Sequence, residues 1–186
     1  QDSNIMFSPT SLNFALGMIA EGAKGETKNA LNEYLGTDDF AAYARKYMKE
    51  TGNATQWGDH SPAEEILFKD IQNENLYVIW QNGHIHAVFA FIIGKDPTYD
   101  RIEQGRWLSK TVYGTIHRVA GDGQIKGVFD LVMAFCNKRI RHLRIDTHQD
   151  NKVMQHLILK NGFQKCGIIY VADGSPRIAY EKTEQP

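Results

Sequence analysis

Apolar residues recur along this chain with two spacings, and the alternation between them predicts the fold. Ile5 to Phe7 suit an extended strand. Leu12, Ala15, Leu16, Ile19 and Ala20 recur every three or four residues, the stripe of an amphipathic helix, with Ser8 as N-cap, Pro9 in the first turn and Gly22 as the stop. A second helix opens at Gly25-Glu26 and runs through Ala30, Leu31 and Tyr34. A third places Phe40, Tyr43, Ala44, Tyr47 and Met48 on one face and ends at Gly52. Ser61-Pro62-Ala63-Glu64 has the form of a capping box before Ile66, Leu67 and Ile71. Leu76 to Trp80 and His84 to Phe91 then alternate as strands, joined by Asn82-Gly83, a hairpin pair.

The second half repeats strand and helix. Thr115 to Val119 reads as a strand, Gly121-Asp122-Gly123 as a break, and Val128, Leu131, Val132, Phe135 and Cys136 as a helical stripe. Leu143 to Thr147 is a short strand, Asp146 to Asn151 runs into a polar turn, and Val153, Met154, Leu157 and Ile158 give the next helix its buried face. Phe163 to Val171 and Arg177 to Glu181 are strands around an Asp173-Gly174 turn. Helices alternating with strands, with hairpins at the ends, predict a mixed α/β (α+β) sheet covered by helices.

Composition narrows the class only slightly. The chain has 186 residues, 42% hydrophobic and 23% charged, enough for one good core. A net charge of -1 gives no electrostatic argument for nucleic acid or an anionic membrane. No apolar run is long enough to span a bilayer, and no secretory leader pattern is present. Cys136 and Cys166 have no metal-site spacing and sit among apolar residues. Buried free thiols in a reducing, cytoplasmic setting are expected. His84 and His86 share a strand face but lack a third ligand nearby, so surface or hydrogen-bonded roles are expected and no metal. The sequence opens at Gln1 rather than Met, as expected of a processed chain or a fragment.

Two stretches carry candidate chemistry. A glycine-spaced turn entering the helix at Val128 presents unpaired backbone N–H groups and the positive end of a helix dipole, a phosphate-binding arrangement. Its bland reading is an ordinary strand-to-helix connection, since neither GxGxxG nor a P-loop lysine is present. The connection from Gly94 to Gly114 is long for a compact domain. Its Tyr99 and Trp107, with Trp57 and Tyr113, either wall an acceptor pocket or tack the loop to the body.

Gln124-Ile-Lys-Gly127-Val-Phe129, Asn151 and Gly162-Phe163 together resemble the GNAT superfamily of N-acetyltransferases. The resemblance covers roughly Asp39 to Lys182, most of the chain, within an expected domain of residues 38–186. It implies a GNAT-like mixed sheet that binds acetyl-CoA where the strands Thr115–Val119 and Leu143–Thr147 splay apart. Backbone groups of Arg118, Val119 and Ala120 would hold the pantetheine. Those of Gln124, Ile125, Lys126, Gly127, Val128 and Phe129 would hold the pyrophosphate, with Asn151 on the pantetheine. Phe129 departs from the small residue usual there. The tyrosine that often serves as acid, four residues before the glycine, is Ile158 here. His117, Asp146, His148 and Tyr170 are the candidate replacements, each with a plain structural alternative.

Residues 1–37 depart from that pattern. Asn4, Phe7-Ser8-Pro9, Ser11-Leu12, Ala15-Leu16, Met18, Gly22-Ala23, Gly25, Thr27 and Leu31 resemble the start of a serpin. The expectation is a serpin-like strand and helix joined to an acetyltransferase, with Ile5 to Phe7 as an edge strand and Leu12 to Ala20 covering the sheet. A loosely attached arm, or strand exchange making a homodimer, competes with it. Two functions follow: acetylation of a small-molecule or peptide amine, or a non-catalytic acyl-CoA-binding or chimeric scaffold.

Overall fold

The computed structural model describes residues 5–7, 40–57, 62, 64–82 and 84–184. In chain order its elements are β1 (Ile5–Phe7), α1 (Phe40–Glu50), α2 (Glu64–Gln72), β2 (Leu76–Gln81), β3 (His84–Ile93), a 3-10 turn (Pro97–Tyr99), β4 (Gly114–Gly121), α3 (Val128–Asn137), β5 (Leu143–Thr147), α4 (Lys152–Lys160), β6 (Gln164–Tyr170) and β7 (Pro176–Lys182). The strands form one sheet in the order β1-β2-β3-β4-β5-β7-β6. β4 and β5 are parallel, and β1–β2, β2–β3, β5–β7 and β6–β7 are antiparallel. This is the mixed α/β sheet that the alternation predicts. The expected helix over Leu12 to Ala20 and the junction at residue 37 lie outside the described residues.

The chain divides into two compact units, Gln1–Tyr47 with Trp57–Ala90 and Arg118–Val128, and Met48–Gln56 with Phe91–His117 and Phe129–Pro186. In the first, Ile5 pairs with Trp80 and Phe7 with Val78, so the expected edge strand is present. Val78, Ile79, Ala87 and Phe89 are buried, and Tyr77 stacks on Phe89 at 5.5 Å. Inside β4, Arg118 takes a left-handed φ of 53°, which bends the strand. Its guanidinium pairs with Asp70 of α2: Nη2 donates to Oδ1 at 2.8 Å, and Nε lies 2.6 Å from Oδ2 as an ion pair without hydrogen-bond geometry. Asp70 is 5% exposed and the Arg118 side chain 19%, so the pair is partly buried and removing Arg118 leaves a buried carboxylate without this countercharge.

In the second unit, Val132, Cys136, Leu143, Ile145, Ile158 and Ile169 are buried. Full burial of each large aliphatic side chain stabilises by about 2 kcal/mol. Burial pushes the Cys136 thiol up to about 12, so it stays protonated and inert, and both cysteines are free. β4 begins at Gly114, earlier than the pattern suggests. A Cβ there would come within 2.5 Å of the Phe91 ring, so the glycine admits a packed strand rather than breaking one. The 94–113 connection runs beside β6, where Glu103 and Ile168 exchange both backbone hydrogen bonds at 2.8 Å and Arg106 N–H donates to Cys166 O at 3.0 Å.

Candidate functional site

The parallel ladder in the second unit sets the site. Gly114 pairs with Leu143, Thr115 with Arg144 and Ile116 with Ile145, and there the register ends while β5 continues through Asp146 to Thr147. His117 is the next residue of β4. Its Nε2 lies 2.7 Å from Asp96 Oδ2 and its Nδ1 3.8 Å from Asp146 Oδ1. Tyr99 donates its hydroxyl to Asp146 Oδ1 at 2.6 Å.

Local sequence explains how a loop delivers Asp96 and Tyr99. Asp96 is the N-cap of the 3-10 turn, accepting the Thr98 N–H on Oδ1 at 2.9 Å, with Pro97 in the first position. The Asp96 N–H donates to the Tyr113 hydroxyl at 3.2 Å. Trp107 donates its ring N–H to Tyr99 O at 3.0 Å and stacks on the Tyr99 ring at 5.5 Å. Tyr99, Tyr113, Ile169 and Ala179 share one buried cluster, with Ile102 and Trp107 against it. The loop aromatics therefore spend their faces on one another.

Burial pushes the Asp96 carboxyl up, but the His117 contact and the Thr98 N–H outweigh it and hold the carboxyl below its ordinary value. Ionised, Asp96 only accepts hydrogen bonds, so His117 Nε2 must be the donor. In neutral imidazole that leaves the lone pair on Nδ1. The Asp146 carboxylate beside Nδ1 is beyond hydrogen-bond distance. Burial, then Asp146, push the Tyr99 hydroxyl well above its ordinary value, so it remains a donor. The arrangement is a base with an oriented tautomer and a nearby countercharge.

The glycine loop belongs to the first unit. After the Arg118 bend, Asp122 Oδ1 accepts the Gln124 N–H at 2.8 Å, and Gly123 and Gly127 take φ of 76° and 74°. Gln124, Lys126 and Gly127 are exposed, and Ile125 and Val128 half-buried. Phe129 is only 4% exposed, so its side chain enters the core and does not lie over the loop. α3 begins at Val128, and the first N–H groups of a helix lack partners within it.

The structure brings together His117 and Asp146 with Tyr99 against both, and Trp107 and Tyr113 pack on Tyr99. His148 turns instead to its own loop, its Nδ1 accepting the Asp150 N–H at 3.3 Å. Tyr170 is 42% exposed and donates to Glu103 at 3.1 Å. Asn151 is the N-cap of α4, accepting the Met154 N–H at 3.0 Å and donating to Gln56 Oε1 at 2.9 Å. Trp57 ends the turn after α1, in the first unit. Ile158 is fully buried in α4.

Sequence reasoning missed Asp96. The Asp96-Pro97 pair carries the signal of a capped turn, but nothing in it foretells a histidine 21 positions on. It also missed Glu181, fully buried, which accepts from His142 Nε2 at 2.6 Å, Arg144 Nε at 2.9 Å and the Leu108 N–H. The Arg144 guanidinium lies between the Trp107 and Tyr113 rings, 3.9 Å from each centre. This ties the 94–113 connection to β5 and β7.

Comparison with known proteins gives two answers. The profile of the Serpin (serine protease inhibitor) family matches residues 1–126, well past the segment whose residues carry that resemblance by eye. Iripin-5 of Ixodes ricinus is 29% identical over 99 residues, covering 53% of this chain, and Serpin-Z2B of Oryza sativa subsp. japonica is 29% identical over 133 residues, covering 70%. The chain spans 23% and 31% of the lengths of these two proteins. Among solved structures, a GNAT-family acetyltransferase from Streptococcus agalactiae superimposes with a TM-score of 0.69 at 30% identity, covering 79% of this chain and 87% of its own.

Proposed function

We propose a function for a chain that belongs to two families: to the GNAT acetyltransferases through its fold and likeness to one of their members, and to the serpins through the match over residues 1–126. It transfers acetyl from acetyl-CoA to the amine of a small molecule or peptide. The observation that carries this reading is His117. Its Nε2 is committed to Asp96 and its Nδ1 lies beyond hydrogen-bond reach of Asp146, at the end of the β4–β5 ladder.

In this reading Arg118, Val119 and Ala120 offer backbone groups to the pantetheine, and the N–H groups from Gln124 to Phe129 take the pyrophosphate. Asn151 keeps one amide N–H beyond its bond to Gln56 for the pantetheine. The amine nitrogen attacks the thioester carbonyl, a C–N bond forms and the C–S bond breaks. His117 Nδ1 takes the proton from the amine, directly or through one water, while Asp96 and Asp146 stabilise the imidazolium. The same proton then neutralises the departing thiolate. The two buried free cysteines suit a reducing cytoplasm.

A thermal melt with acetyl-CoA and with pantetheine tests the cofactor assignment, since a ligand of the folded state raises the midpoint by mass action. A rise with acetyl-CoA that pantetheine does not match is expected. No rise in a cooperatively melting protein overturns it. One observation favours the second reading, a non-catalytic acyl-CoA-binding or chimeric scaffold: the usual acid position is Ile158, 0% exposed. Cofactor binding without turnover across a broad amine panel would establish that alternative.

A further inference from the structure

The first compact unit contains another histidine–carboxylate pair, placed where it bears on the glycine loop. His86 of β3 is 7% exposed, and its Nδ1 lies 2.8 Å from Asp122 Oδ2. The Asp122 N–H donates to His86 O at 3.0 Å. The other carboxylate oxygen, Oδ1, accepts the Gln124 N–H at 2.8 Å. Asp122 thus clips the loop to β3 through its backbone and both side-chain oxygens. Gly121 fits beneath this clip, since a Cβ there would sit 3.4 Å from His86 O.

An aspartate that bonds only to a backbone N–H two residues on is a common turn device, free to rock about its side-chain torsions. His86 removes that freedom by holding the second oxygen. The plane of the carboxylate then fixes the Gln124 N–H, and the peptide planes that follow through Gly127 inherit its direction. Converging N–H groups recognise a phosphate only if those planes are held before the ligand arrives. His86 also draws on the charge of a carboxylate that would otherwise repel an anion near the loop.

We propose that His86, acting through Asp122, is a positioning residue for the pyrophosphate of acyl-CoA, an inference that rests on the acyl-CoA reading above. It governs affinity for the diphosphate part of the ligand and leaves the pantetheine arm alone.

The test compares dissociation constants for CoA and for pantetheine, by calorimetry with competition, on the full chain and its variants. His86→Ala is expected to weaken CoA about five- to tenfold, the worth of one lost orienting hydrogen bond, with pantetheine unchanged. His86→Asn, whose amide N–H replaces Nδ1, should restore most of the loss. Adding His86→Ala to Asp122→Ala should weaken CoA no further, because the two act as one unit. Equal losses for both ligands, no loss for CoA, or additive losses would overturn the role. Should His86→Ala not fold, His86→Asn and Asp122→Ala decide, the first binding CoA as the unaltered protein does and the second showing the selective loss. An unaltered protein that binds neither ligand overturns the acyl-CoA reading, and the role of His86 with it. One that binds CoA while the variants lose nothing overturns the role alone.

Discussion

Two clusters in the second unit use the same residue types toward opposite ends. Around Glu181, a histidine, an arginine and two aromatic rings meet a carboxylate. Around His117, two carboxylates and the Tyr99 ring meet a histidine. At the first cluster both His142 nitrogens are engaged, Nε2 with Glu181 and Nδ1 with Thr111 Oγ1 at 2.8 Å, and Glu181 is fully buried. At the second, His117 has one nitrogen committed and its side chain is 15% exposed. What separates the two histidines here is the uncommitted ring nitrogen of His117, not the residue inventory.

Removing Glu181 should therefore damage folding most. Glu181→Ala leaves Arg144 buried without its countercharge, and denaturant unfolding should show a loss of about 3–5 kcal/mol. A loss under 1 kcal/mol would dissolve the contrast. His117→Ala should shift the balance, lowering turnover about a hundredfold or more; it costs some stability, since it leaves Asp96 without its partner, but less than Glu181→Ala. Unchanged turnover with an amine panel would remove His117 from the mechanism. Gly127→Asp adds an anion at a left-handed φ in the loop and should weaken CoA binding about tenfold or more, read by calorimetry. Tyr99→Phe leaves Asp146 without its donor and should cost about 1 kcal/mol of stability, with a smaller loss of turnover than His117→Ala.

The smallest effect is one of pH. The folded-state pKa of Asp96 lies below its unfolded value, so its stabilisation is present above about pH 4 and is lost as pH falls through the folded value. Asp96→Asn should flatten the acid limb of the melting curve and leave the neutral region with a constant offset.

The elements were legible because burial imposes periods: Leu143–Thr147 in β5 and the Val128–Cys136 stripe of α3 appear in the structure where the alternation puts them. Side-chain roles in turns obey no period. His148 was expected at the mouth of the site, yet a hydrogen bond two residues on decides its direction. Asp96 was invisible for the converse reason, since its partner lies across the sheet rather than along the chain. For His86 the spacing leaves a surface or a hydrogen-bonded role open, and the structure gives the second, a buried ring against Asp122.

The glycines at 105 and 167 extend the significance of the 94–113 connection beyond chemistry. A Cβ on Gly105 would strike Cys166 O and one on Gly167 would lie 2.5 Å from Glu103 O, so larger residues at either place would force the two backbones apart. β6 is the last strand of the sheet, and the connection occupies hydrogen-bonding groups along its outer side. An open strand there would be a template for another chain, and edge-to-edge growth is how sheets aggregate. The segment that delivers Asp96 to His117 is thus also a guard on solubility, and variants that loosen it should self-associate as well as lose turnover.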